Sequence, residues 1–69
     1  MQMDELNRVI GRAMRQVQLS KGQRQVELRQ AVRWLNFTRQ RLAQGNEDAA
    51  RFWLSMARHR VVLARYLAN

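Results

Sequence analysis

Neither cysteine nor proline occurs in this 69-residue chain, and glycine is confined to Gly11, Gly22 and Gly45. Without cysteine no disulfide can staple the fold, and with His59 as the only histidine there is no ligand set for a structural zinc. Acidic residues are scarce: five Asp and Glu stand against thirteen Lys and Arg, a formal net charge of +8. No stretch approaches the roughly 18 uncharged apolar residues that a membrane span requires. Met1 is followed by the acidic pair Asp4 and Glu5, not by a basic segment and an apolar run, so no signal peptide is expected. The chain therefore reads as soluble and cytoplasmic.

A chain this short hides only about 60% of the surface its unfolded form exposes, so its own core is marginal. With disulfide and metal set aside, self-association is the supplement that remains. Twelve of the basic residues are Arg and only Lys21 is Lys. Arginine makes planar, bidentate contacts with carboxylates and phosphates and tolerates burial at interfaces better than lysine. The expected partner is accordingly acidic: nucleic acid, an anionic surface or an acidic protein patch.

No segment alternates with a period of two, so strands are not expected. Met3, Leu6, Ile10, Ala13, Met14 and Val17 recur at helical spacing, with Asp4 and Glu5 near the positive end of that helix. Leu28, Ala31, Val32, Leu35, Thr38 and Leu42 mark a second helix that stops at Gly45. Asn46 is placed to cap a final helix over 47–67, with Glu47 and Asp48 in its first turn. Around Ser20-Lys21-Gly22-Gln23 two readings stay open. Gly22 can end the first helix, or seven-residue rows can run straight through into one continuous arm over 3–43. The expected fold is all-α: a single domain, 1–69, forming an antiparallel helical hairpin about the turn 44–46, with its first arm continuous or broken near 20–23. A continuous arm of about 60 Å would outrun a final helix of about 30 Å. The hairpin is therefore expected to dimerise into a bundle.

The final helix carries two apolar rows. Ala49, Phe52, Trp53, Met56, Leu63 and Leu67 form one, expected to face the core. Ala50, Leu54, Ala57, Val61, Ala64 and Ala68 form the other, with Leu54 and Val61 roughly 140–160° from Met56 at about 100° per residue. A surface helix needs one such stripe, so Leu54, Ala57 and Val61 are assigned to a homodimer interface.

Nothing in the chain assembles catalytic chemistry. His59 has no acid near it in sequence, and the hydroxyls are Ser20, Thr38, Ser55 and Tyr66. There is no nucleophile elbow, phosphate-cradling loop or metal-ligand spacing. Four of the five acids sit at helix starts. The reading is a non-enzyme without cofactor or metal. Arg8, Arg12 and Arg15, then Arg29 and Arg33, then Arg51, Arg58 and Arg65 form outward ridges. They serve either as a solvated face or as phosphate contacts, with non-specific nucleic-acid binding expected at low salt. Trp34 and Phe37 leave the core face of the second helix, about 100° and 160° from Leu35. Val62 and Tyr66 do the same on the last. Together with Arg39 and Arg41 they are the candidate partner-binding residues, because exposed Trp, Tyr and Arg anchor recognition surfaces. Arg39 and Arg60 point to the edge of the core stripes, with too few acids in the chain to pair them.

In length, arginine-rich composition and helical-hairpin pattern, the chain resembles the small anti-quorum-sensing proteins of temperate Pseudomonas phages. That resemblance spans the whole chain and transfers no binding residue by motif. It implies a dimeric helical protein that binds LasR, the LuxR-type quorum-sensing activator, and keeps it off DNA. It also implies a second target, the type IV pilus assembly ATPase PilB, and with it superinfection exclusion. A +8 chain is repelled by the basic DNA surface of an activator unless apolar anchors such as Trp34, Phe37, Leu54, Val61 or Val62 carry the contact. Arg39 and Arg41 suit an acidic patch on the ATPase. The competing readings are a small nucleoid-type nucleic-acid-binding protein and a regulatory subunit for an unknown acidic partner.

Overall fold

The computed structural model describes residues 2–67 and is all-helical over them. Three helices follow in order: α1 Met3–Leu19, α2 Gly22–Ala43 and α3 Glu47–Arg65. The continuous-arm alternative is thereby corrected. Ser20 and Lys21 are extended, and Gly22 sits at φ +60°, a left-handed conformation that side chains with a Cβ rarely adopt. The freed end of α1 is satisfied locally, since the Val17 carbonyl accepts from the Ser20 amide at 3.3 Å and from Gln25 Nε2 at 2.8 Å. The seven-residue spacing that suggested one rod does not survive as a single face, since Met14 and Lys21 are exposed where Leu28 and Leu35 are buried.

The second turn follows the expected chemistry. Gly45 takes φ +76° after α2, and the Asn46 side chain accepts the Ala49 amide at 3.2 Å to cap α3. Helix α3 ends at Arg65, slightly before the expected Leu67, with Tyr66 as its cap. Ala68, the last member of the second apolar row, lies outside the described residues.

Both outer helices pack on α2. Arg39 of α2 donates to Asn7 Oδ1 at the start of α1, and Gln25 reaches the end of α1, so the two helices run in opposite directions. Helix α3 runs back along α2 in turn, bringing Phe37 to Trp53 and Glu27 to Arg60. Leu6, Ile10 and Ala13 of α1 meet Leu35 of α2 and Ala57 of α3 in the central cluster, with Met3, Val32, Trp34, Leu42 and Leu54 packed around it. Among the described residues only Leu6 and Thr38 are large side chains with essentially no exposure, so the core is thin. The Thr38 hydroxyl donates to the Trp34 carbonyl at 2.9 Å, which removes the cost of burying it.

Gly11 is exposed within α1, and a Cβ built there meets nothing within 4 Å. Gly11→Ala should therefore stabilise the protein by about 0.5–1 kcal/mol, the helix-interior difference between the two residues. Thermal denaturation followed by circular dichroism reads this as a rise of a few degrees, and an unchanged or lowered midpoint would refute it.

Candidate protein-binding surfaces

The two apolar rows of α3 exchange the roles expected of them. Ala50, Ala57 and Ala64 are the buried residues of this helix, and Leu54 packs against the central cluster. Val61 is half-buried beside them. The assignment of Ala57 to a dimer interface is corrected, since at 1% exposure it is taken up by the chain's own core, whereas Leu54 and Val61 are half-buried and line an open groove. The physical reason is size. Alanines recurring every seven residues let the α3 backbone approach α2 closely, which a row of Phe, Met and Leu would prevent.

The bulkier row is displaced to a flank. Phe52 is 57% exposed, Leu63 is 38% exposed and Met56 is half-buried. Phe37 of α2 extends this flank across the helix seam. Its ring lies 5.1 Å from Trp53, which in turn meets Phe52 edge-on at 5.3 Å and Trp34 at 6.3 Å. Offset and edge-to-face rings at these separations are mutually attractive and lock one another's rotamers. The flank is therefore apolar outside and backed by ring-on-ring contacts underneath. Spacing counted from Met56 assigns Phe52 and Trp53 to the core row. Adding the 100° step from Ala57 instead of Met56 would have placed Phe52 outward.

Of the residues expected to bind a partner, Trp34 and Phe37 are brought together, and Trp34 is half-buried by its neighbours. Arg60 lies over the Trp34 ring, with its guanidinium carbon 5.0 Å from the centroid. The same guanidinium donates to Glu27 Oε2 at 3.0 Å. Arg60 therefore does have an acid within its own chain, contrary to the expectation. The signal was present: Glu27 is the one acid away from a helix start, and folding about Gly45 brings together residues roughly equidistant from that turn. Arg39 spends its fork on Asn7 at 3.2 Å and Asn36 at 2.7 Å, while Arg41 donates to Gln44 at 3.2 Å. Both are hydrogen-bonded to neutral amides and form no ion pair with a described acid. Val62 (45% exposed) lies on α3 and Tyr66 (84% exposed) is its C-terminal cap. They do not join Trp34 and Phe37 in one site.

On the other flank of α3 a groove of about 670 Å³ runs between α1 and α3, floored by Arg24, Leu28 and Leu35 of α2. Arg12 stands on its α1 side and Arg58 and Arg65 on its α3 side. His59 is exposed, and no group of three or more metal-ligating side chains occurs among the described residues. No described helix is long and apolar enough to cross a membrane. No family model, curated protein or solved structure matches this chain.

Proposed function

We propose that this chain acts by stoichiometric binding to other proteins, with the flank formed by Phe37, Phe52, Met56 and Leu63 as its contact surface. The observation that supports this most is the exposure of large apolar side chains on a cluster of contacting rings in a chain whose core is built mostly of alanine and a few leucines. Exposed aromatics that are already packed against other rings give up less rotamer freedom on binding, which favours them as anchors. No reacting group is required: a helix face that occupies a surface the target needs is inhibition enough. Self-association belongs to the same proposal. In the free protein a second copy closes the flank, and a target competes for it.

The resemblance to phage anti-activators directs the first test to LasR and PilB. Tagged protein is incubated with each purified target, and with nuclease-treated bacterial lysate, and captured. Wild-type chain should retain the target. Phe52→Asp should lose at least nine-tenths of the capture with unchanged helicity, and should sediment as a monomer where wild type sediments as a dimer. Capture that disappears on nuclease treatment, or that Phe52→Asp leaves intact, would overturn the reading.

Nucleic acid is the second reading, favoured by the net charge of +8 and by Arg8, Arg15, Arg29 and Arg33 on exposed positions. It makes an opposite demand. Affinity for a duplex would fall steeply with salt, with a slope near −0.9 for each phosphate contacted.

A further inference from the structure

We propose that the groove between α1 and α3 docks an acidic amphipathic helix of a partner protein, which takes the place of a fourth helix in the bundle. This site lies on the flank of α3 opposite the aromatic one and stands independently of it.

Shape is the first argument. Helices α1 and α3 both lie against α2 and run in the same direction, and their backbones do not approach each other closely. Three helices so placed leave the fourth corner of a bundle open. Along α3 the groove extends from Leu54 to Arg65, about 16 Å at 1.5 Å per residue, or three turns of a docked helix. Val9, Leu54, Val61 and Val62 present apolar surface along it, over a floor closed by the buried Leu28 and Leu35.

Charge selects the occupant. Arg12, Arg24, Arg58 and Arg65 line the groove, and no acid does. Arg24 is the most telling, because it occupies the floor in the same row as Leu28 and Leu35. Its Nε is buried without a hydrogen-bond partner, and no described residue forms an ion pair with its guanidinium. The residue is half-buried and stands among three further arginines, so a carboxylate reaching into the groove would find an unpaired guanidinium there. The chain's own acids are not available for this role. Glu27 is engaged by Arg60, Glu47 and Asp48 flank Arg51, and Asp4 and Glu5 sit at the start of α1. A second copy, also at +8 and without an acidic stripe, is repelled from the groove. The occupant is therefore a foreign helix with leucine-type residues on one face and Asp or Glu along both edges. Those edges meet Arg12 on one side and Arg58 and Arg65 on the other.

The probe is a fluorescein-labelled peptide of about 18 residues, or five turns, with leucines on one face and glutamates flanking them. A scrambled peptide of identical composition serves as its control. Anisotropy at about 0.15 M salt should give at least tenfold tighter binding for the amphipathic peptide. Backbone amide shifts should move at Leu28, Leu35, Val61 and Val62. Arg24→Gln should weaken binding about tenfold, the worth of one charge-assisted hydrogen bond, and the surface reversal Arg58→Glu with Arg65→Glu should weaken it further. The latter pair carries the test if Arg24→Gln loses helicity. Phe52→Asp should leave peptide affinity unchanged, which separates this site from the aromatic flank. Equal binding of the two peptides would overturn the proposal, as would shifts confined to the aromatic flank or displacement of the peptide by an oligonucleotide.

Discussion

Truncating Leu6 to alanine is expected to cost about 3 kcal/mol, within the range for deleting a buried leucine. In a protein of this size that lowers the thermal midpoint by roughly 12–24 °C. Leu6 has no exposed surface and belongs to the cluster that joins all three helices. Its neighbours in that cluster are apolar, so the space a truncation leaves offers water no hydrogen-bond partners. The whole stability of a chain this long is on the order of 3–10 kcal/mol, so Leu6→Ala removes a large part of it. Helix α1 should be the first element to detach, since it bonds to the remainder chiefly through Leu6, Ile10 and Ala13. Urea denaturation followed by circular dichroism and by fluorescence of Trp34 and Trp53 tests both statements. A loss below about 1 kcal/mol would mean that α1 is not held by this residue.

Glu27→Ala should cost about 2 kcal/mol, less than the loss from breaking a fully buried pair and more than that from a surface one. The Glu27 and Arg60 side chains are 16% and 34% exposed, and their contact is 3.0 Å. Removing the carboxylate strands a guanidinium whose Nε already lacks a partner and which lies over the Trp34 ring. Glu27→Gln keeps an acceptor oxygen and should lose about half as much. Replacing both residues, Glu27→Leu with Arg60→Met, should recover most of the loss because it removes the stranded charge together with its partner. A double-mutant cycle measures the coupling directly. A value below about 0.5 kcal/mol would place the pair among ordinary surface contacts and refute the assignment.

These two predictions draw on different parts of the molecule, and the sequence disclosed them unequally. Leu6 and Ile10 follow from helical spacing alone, because α1 has one unambiguous apolar stripe. Glu27 with Arg60 does not, because an ion pair between residues 33 positions apart exists only once α3 has folded back on α2. The corrected rows of α3 show the same division. Periodicity located both rows but carries no information on which of them lets two helices approach closely. The seam went to Ala50, Ala57 and Ala64, and the larger row was left on the outside.

Several features were determined by the chain itself. Helical spacing without strand alternation made it all-α, glycine and asparagine placed the turn at 44–46, and the scarcity of acids set its charge. These are local or additive properties, so they can be read one segment at a time. Tertiary structure alone decided whether the first arm broke at Gly22, which row of α3 met α2, and which arginine found an acid. It also left four arginines around one groove. Each of those outcomes depends on how closely two helices can approach, a quantity set jointly by side chains that no single segment contains.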